Sequence, residues 1–216
     1  MKFFILSGGE FSSSRTNYYM KWLTQELQNK GNVVSFRNSY DDILNKDVVG
    51  LKKFFEEEIL NSDVVIFCSP VYLHNISGSM KKILDLFVVW SHSLRLAGKV
   101  GVVITVSSSN GNKEVSKYLD KILNYFGVTV LGNFSFNHAM PEENIKNELI
   151  NFMDLIEDTD LSKVRVSERQ NKIFLLYKDW YSKNINLSEK EKMLLEEVGV
   201  QEAENFQDIF NKNLHI

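Results

Sequence analysis

The 216-residue chain contains a single cysteine, Cys68. It therefore has no intrachain disulfide, and one chain cannot supply the several thiolates that an iron–sulfur cluster needs. Long apolar runs are missing too: none approaches the ~20 residues required to span a membrane. The first apolar stretch, Phe3 to Leu6, runs straight into Ser7-Gly8-Gly9. It has neither the length nor the cleavage site of a signal peptide, so the expected location is cytoplasmic. Charge of one sign is also lacking. A formal net charge of -3 gives no bias toward nucleic acid and no acidic tail. The four histidines, His74, His92, His138 and His215, are scattered without metal-ligand spacing, so no metal site is expected. Gly-x-Ser-x-Gly is absent, which removes the nucleophile-elbow hydrolases. What remains is an ordinary globular composition, 44% hydrophobic and 25% charged, long enough to bury much of its surface.

Short apolar runs alternate with amphipathic helical patterns. Phe3 to Leu6 is a first strand, followed by a helix with Met20, Leu23 and Leu27 on one face and Gly31 as its stop. Val33 to Phe36 is a second strand. Leu51, Phe54, Phe55, Ile59 and Leu60 mark the next helix, which ends before Ser62-Asp63. Val64 to Cys68 is a third strand, ending in a cysteine that reads as a small hydrophobe. Ile76, Met80, Ile83, Leu84 and Phe87 make a third helix, and Val100 to Val106 a fourth strand. Val115, Tyr118, Leu119, Ile122 and Phe126 give a fourth helix, with Gly127 at its C′ position. A fifth strand starts at Val128 to Leu131. Pro141, Glu142 and Glu143 open a helix whose apolar face is Ile145, Leu149, Phe152, Met153 and Ile156.

Strands without polar interruption are covered on both faces, and strands separated by helices pair in parallel through right-handed crossovers. Five such units predict a three-layer α/β sandwich, with strand order 2-1-3-4-5 as the commonest arrangement. Ligands then bind outside the carboxyl ends of the strands near the switch point between strands one and three. No Gly-x-Gly-x-x-Gly follows the first strand, so a separate dinucleotide-binding domain is not expected.

Three loops become privileged. The first reads from Ser7-Gly8-Gly9 through Ser12, Ser13 and Ser14 to Arg15, Thr16 and Asn17, and it leads into a helix. Helix N-terminal amides are unpaired donors, so this loop is either an anion site or a serine-rich turn with an N-cap. The second reads Ser69-Pro70-Val71-Tyr72-Leu73-His74-Asn75-Ile76-Ser77-Gly78. Proline stiffens it, leaving the backbone beside Tyr72 to face a flat ring, or the tyrosine to pack beneath the loop. The third, Ser107-Ser108-Ser109-Asn110-Gly111, offers hydroxyls and amides with no acid or base, suited to a polar cofactor edge or to a plain turn.

These residues resemble the NAD(P)H-dependent FMN reductases and quinone reductases of the flavodoxin-like superfamily. Ser14-Arg15-Thr16 matches the Ser-x-Thr at that family's helix entrance. Pro70-Val71-Tyr72, the Ser77-Gly78 turn, Met80-Lys81 and Asp85 match its third-strand motif. The likeness covers about residues 1 to 158, with two departures: Gly8-Gly9-Glu10-Phe11 replaces the usual Gly-Ser-x-Arg, and Leu73 replaces an asparagine. The resemblance implies FMN, with its phosphate between Ser12 and Asn17 near Gly9. It implies a ring lying between Pro70–Asn75 and Ser107–Gly111. NAD(P)H would give hydride through the flavin to a small-molecule acceptor, in ping-pong turnover without a catalytic acid or base. It also implies a homodimer. The competing readings are a one-electron carrier of the flavodoxin type and a non-catalytic binding module.

Residues 159–216 exceed what such a core needs. Ile173, Leu176, Tyr177, Trp180 and Tyr181 form a helical stripe, and Ser188 with Glu191 makes a capping box before Met193, Leu194, Leu195 and Val198. Ala203, Phe206, Ile209 and Phe210 predict a last helix. This segment is too short for a core of its own, so the expectation is helices packed on the parent domain or on a dimer partner.

Overall fold

The computed structural model describes residues 1–11 and 13–214. Five strands, β1 (Lys2–Ser7), β2 (Val33–Asn38), β3 (Val64–Pro70), β4 (Val100–Ser107) and β5 (Thr129–Asn137), form one sheet in the order β2-β1-β3-β4-β5. All four pairings are parallel, with Phe3 opposite Val64, Val64 opposite Val100, and Val100 opposite Thr129. The expected topology is therefore the observed one.

Side chains of successive strand residues point to opposite faces, so each strand feeds two cores. One face carries Phe3, Ile5, Val64, Ile66, Val102 and Ile104. Against it pack α1 (Arg15–Asn29) through Met20, Leu23 and Leu27, and α6 (Glu142–Glu157) through Ile145, Leu149 and Met153. The other face carries Phe4, Leu6, Val65, Phe67 and Val103. It is covered by α3 (Val48–Leu60), α4 (Gly78–Asp85) and α5 (Asn112–Phe126), through Leu51, Phe55, Met80, Ile83, Leu119 and Leu123. Burying each such side chain is worth roughly 1.5–3 kcal/mol. β3 and β4 are buried along their whole length, whereas β2 is mostly half-buried because it forms an edge.

The strands run further toward their carboxyl ends than the apolar runs indicate. Pro70 still pairs with Val106, and Ser107 with Asn137, so both residues terminate strands instead of opening loops. A short helix, α2 (Ser39–Asn45), follows β2 directly, capped by Asn38, whose Oδ1 accepts from the Asp41 amide at 2.9 Å. The expected third helix stops at Asp85. The chain then makes a 3-10 turn, Val88–His92, with Phe87 and Trp90 stacked at 4.2 Å between ring centroids.

The last three helices, α7 (Glu168–Lys183), α8 (Glu189–Val198) and α9 (Phe206–Asn213), share an apolar cluster with Leu94 and Ala97. Ile173, Phe174 and Tyr177 face inward, while Leu176, part of the expected stripe, is exposed. The Ser188–Glu191 capping box forms, and the second Glu191 oxygen meets His92 Nδ1 at 2.8 Å. Gln170 donates to the Val128 carbonyl at 3.0 Å. These contacts lie at the amino ends of β4 and β5, the end of the sheet opposite the three loops.

Candidate functional site

The three loops meet at the carboxyl ends of β1, β3 and β4. The chain leaves β1 through Gly8, whose amide continues the ladder to the Cys68 carbonyl at 2.7 Å. A Cβ on Gly8 would stand 2.8 Å from Ser77 Oγ and 3.3 Å from Pro70 Cδ, so the first and second loops touch with no side chain between them. Val71 donates to the Val106 carbonyl at 3.0 Å, tying the second loop to the end of β4.

The second loop closes in a tight turn. Tyr72 and Asn75 exchange both backbone hydrogen bonds at 2.9 Å, and Leu73 and His74 between them take φ of 50° and 61°. Positive φ at two successive non-glycine residues is a strained conformation of the kind kept at functional sites. Leu73 is 98% exposed at the tip, and Tyr72 is 39% exposed and so is not packed beneath the loop. Burial, together with the charge of Glu10 across the first loop, pushes the Tyr72 phenol above its ordinary value.

Gly111 joins the third loop to this turn. It has φ +86°, and a Cβ there would lie 2.5 Å from Val71 Cγ1 and 3.2 Å from His74 Nδ1. Ser108, Ser109 and Asn110 stand exposed at the rim, whereas Ser107 is buried and its hydroxyl accepts from Asn112 Nδ2 at 2.9 Å.

The first loop is organised by buried amides. Asn17 Nδ2 donates to the Gly9 carbonyl at 3.2 Å and the Phe11 carbonyl at 2.7 Å. Its Oδ1 accepts from Ser7 Oγ at 2.5 Å and from Asn38 Nδ2 at 2.7 Å. The Asn17 side chain is thus spent on the loop's own backbone. Ser14 is the N-cap of α1, its hydroxyl accepting from the Asn17 amide at 3.2 Å, and the first turn holds no acidic residue. Thr16, the second residue of α1, is buried. Arg15 turns along the helix instead, donating to Tyr19 Oη at 2.9 Å and reaching the His138 carbonyl at 3.4 Å. It lines an open groove of about 590 Å³ with Tyr18, Trp22 and Glu142 on the outer side of α1. Ser12 lies outside the described residues, as does His215.

Asn38 is the participant that the sequence reading passes over. It stands where β2 ends, on the second strand and not in one of the three loops. The available signal is an asparagine followed three residues later by Asp41, an N-cap pattern.

Chemically, the arrangement offers an anion site and a flat floor. The Arg15 and Thr16 amides lack intrahelical acceptors, and the Ser14 hydroxyl keeps its own hydrogen to donate. The positive end of the α1 dipole adds to this, so the donor set fits a phosphate. The close-packed backbone of Val71, the 72–75 turn and Gly111 fits the edge and face of a planar ring. The residues therefore fit FMN. Cys68 is fully buried, and that burial pushes its thiol far above its ordinary value. Lys81 and Asp85 form an exposed ion pair on α4. Among the described residues no cluster of metal-ligating side chains exists, and no helix is long and apolar enough to cross a membrane.

Known proteins resemble this chain in sequence and in fold. An iron–sulfur flavoprotein of Archaeoglobus fulgidus is 36% identical over 87 residues, which span 40% of this chain and 38% of that protein. Among solved structures, the apo form of an NADH:FMN oxidoreductase superposes with a TM-score of 0.61 at 18% identity, covering 78% of this chain and 92% of its own. A flavodoxin from the domain Archaea superposes at 0.52 with 15% identity, covering 73% of this chain and 97% of its own. At these identities the two structures establish the shared flavodoxin-like fold. The profile of the NADPH-dependent FMN reductases matches residues 1–141, so the chain belongs to that family.

Proposed function

We propose that the FMN phosphate binds at the head of α1 and that the ring lies on the floor made by Val71, the 72–75 turn and Gly111. NAD(P)H is the reductant, and a flavin, a quinone or a similar flat small molecule is the acceptor. The observation that carries this reading is the direct contact of the three loops through Gly8 and Gly111. That contact sets the head of α1 beside the backbone of Val71 and Gly111, which supports binding of the phosphate and the ring of one molecule.

Bound FMN supplies the hydride-accepting and hydride-donating chemistry. The chain's own residues bind and orient. Ser14, Thr16 and the first amides of α1 hold the anion, Val71 and Gly111 fix the floor, and Tyr72 and Leu73 border the open face. No side chain is required to move a proton. Residues 1–158 carry this site. The helices α7, α8 and α9 form an extension to it, and their packing against Leu94 and Ala97 supports a structural role remote from the loops.

Steady-state kinetics test the reading. With NADH or NADPH varied against menadione or free FMN, one shared site predicts parallel double-reciprocal lines and competition between the two substrates. Absence of NAD(P)H oxidation with every flavin and quinone acceptor would reject the enzyme assignment in favour of a carrier.

A further inference from the structure

We propose that Asn38 is a positioning residue for the phosphate-binding loop, acting from the neighbouring strand β2. The proposal rests on the reading that the phosphate of FMN sits at the head of α1.

Asn38 is buried, and each of its polar atoms is used. Its Nδ2 donates to the Gly9 carbonyl and to Asn17 Oδ1, both at 2.7 Å, and its Oδ1 caps α2 through the Asp41 amide at 2.9 Å. The amide has two hydrogens, and both are committed. The Gly9 carbonyl is thereby gripped from two sides, by Asn38 and by Asn17.

The peptide after Gly9 is trans, since the described chain holds no cis bond. In a planar trans peptide the C=O and the following N–H point in opposite directions. Holding the Gly9 carbonyl toward Asn17 and Asn38 therefore turns the Glu10 amide away from them, and on this proposal that amide is free to donate to the anion. An amide at this place in β2 is required because the grip needs two donors. An aspartate would set a carboxylate against the Gly9 carbonyl and Asn17 Oδ1. Loss of Asn38 takes one of two donors from the Gly9 carbonyl, which keeps Asn17 Nδ2, and one of two from Asn17 Oδ1, which keeps Ser7 Oγ, so the peptide is held from one side only and is freer to rotate.

The capping role and the positioning role separate in Asn38→Ser. Serine is a good N-cap and stays neutral, so α2 keeps its start. Its single hydroxyl hydrogen cannot serve two acceptors. The experiment measures dissociation constants of FMN and of riboflavin, which lacks the phosphate, for wild type and Asn38→Ser, with melting temperatures alongside. Wild type is expected to bind FMN much more tightly than riboflavin. The variant is expected to lose about tenfold for FMN, the scale of one hydrogen bond to a charged group, with less than a twofold change for riboflavin. If wild type separates the two ligands and the variant leaves that gap unchanged, or weakens both alike, the positioning role is overturned while the phosphate site stands. If wild type binds the two equally, the phosphate site itself is wrong and this proposal falls with it. Should Asn38→Ser not fold, Asn38→Gly, which costs a helix N-cap only a few tenths of a kcal/mol, is measured in the same way.

Discussion

Replacing Gly111 by alanine perturbs the site floor at its tightest point, and Gly31 provides the matched control. The two glycines have nearly the same backbone, φ +86° and +87°. An L-residue pays about 1–2 kcal/mol in the left-handed region. Alanine returns roughly 0.4–1 kcal/mol by stiffening the unfolded chain. Around Gly31 nothing lies within 4 Å of an added Cβ, so Gly31→Ala is expected to cost about 1 kcal/mol. At Gly111 the added Cβ meets Val71 Cγ1 at 2.5 Å and the His74 Cα at 3.3 Å, and a backbone atom cannot simply swing away. Forced contacts of this kind add about 1–3 kcal/mol, which brings Gly111→Ala to about 3 kcal/mol. With a urea m-value near 2 kcal/mol/M, the difference between the variants corresponds to a midpoint shift of roughly 1 M. The displacement of Val71 and His74 also spoils the ring floor, so FMN affinity falls in Gly111→Ala and is unchanged in Gly31→Ala. Equal urea midpoints for the two variants would refute the packing argument, and unchanged FMN affinity in Gly111→Ala would refute the floor.

Three further outcomes follow from buried or half-buried groups. Burial lowers the Lys99 ammonium to about 8 from its ordinary 10.5. Between those values the folded state binds fewer protons than the unfolded state, so stability rises with pH there, and Lys99→Met should flatten that rise in melting curves taken from pH 7.5 to 10.5. Cys68 is fully buried with its thiol pushed up, so Ellman's reagent should label native protein at a negligible rate and label urea-unfolded protein at once. Burial raises the Glu191 carboxyl, but hydrogen bonds from Ser188 and His92 outweigh it and hold the group below its ordinary 4.5. Its stabilisation is present above that value and is lost as pH falls through the lower folded value. Glu191→Ala should therefore cost about 1–2 kcal/mol at pH 7 and progressively less below pH 4, read by chemical denaturation.

The fold was legible because β1, β3 and β4 are buried on both faces and therefore have uninterrupted apolar sequences. Met20, Ile59, Met80, Leu119 and Ile145 all lie on the helix faces that the spacing assigns to them. Boundaries were less legible. Pro70 and Ser107 end strands because parallel pairing with Val106 and Asn137 continues past the last apolar residue. The short helix α2 was missed because no apolar period marks it, and its evidence lies in the Asn38 cap. At the site, topology makes the meeting of the three loops readable, but not what each side chain does there. Arg15 and Asn17 look alike in sequence as polar residues at a helix entrance. Burial separates them: Asn17 holds the loop from inside, and Arg15 lies along the outer side of α1. Asn38 belongs to a strand 21 residues away in sequence from its partner Asn17, a relation that only the folded chain reveals.

FMN held at the three loops and reduced by NAD(P)H is the proposal on which the other outcomes depend. The most direct test is the visible spectrum of the protein after incubation with FMN and desalting, followed anaerobically on addition of NADPH and then NADH. A retained flavin spectrum that bleaches with at least one of the two nucleotides and returns on addition of a quinone is the expected result. A colourless protein, or a bound flavin that neither nucleotide bleaches, would contradict it.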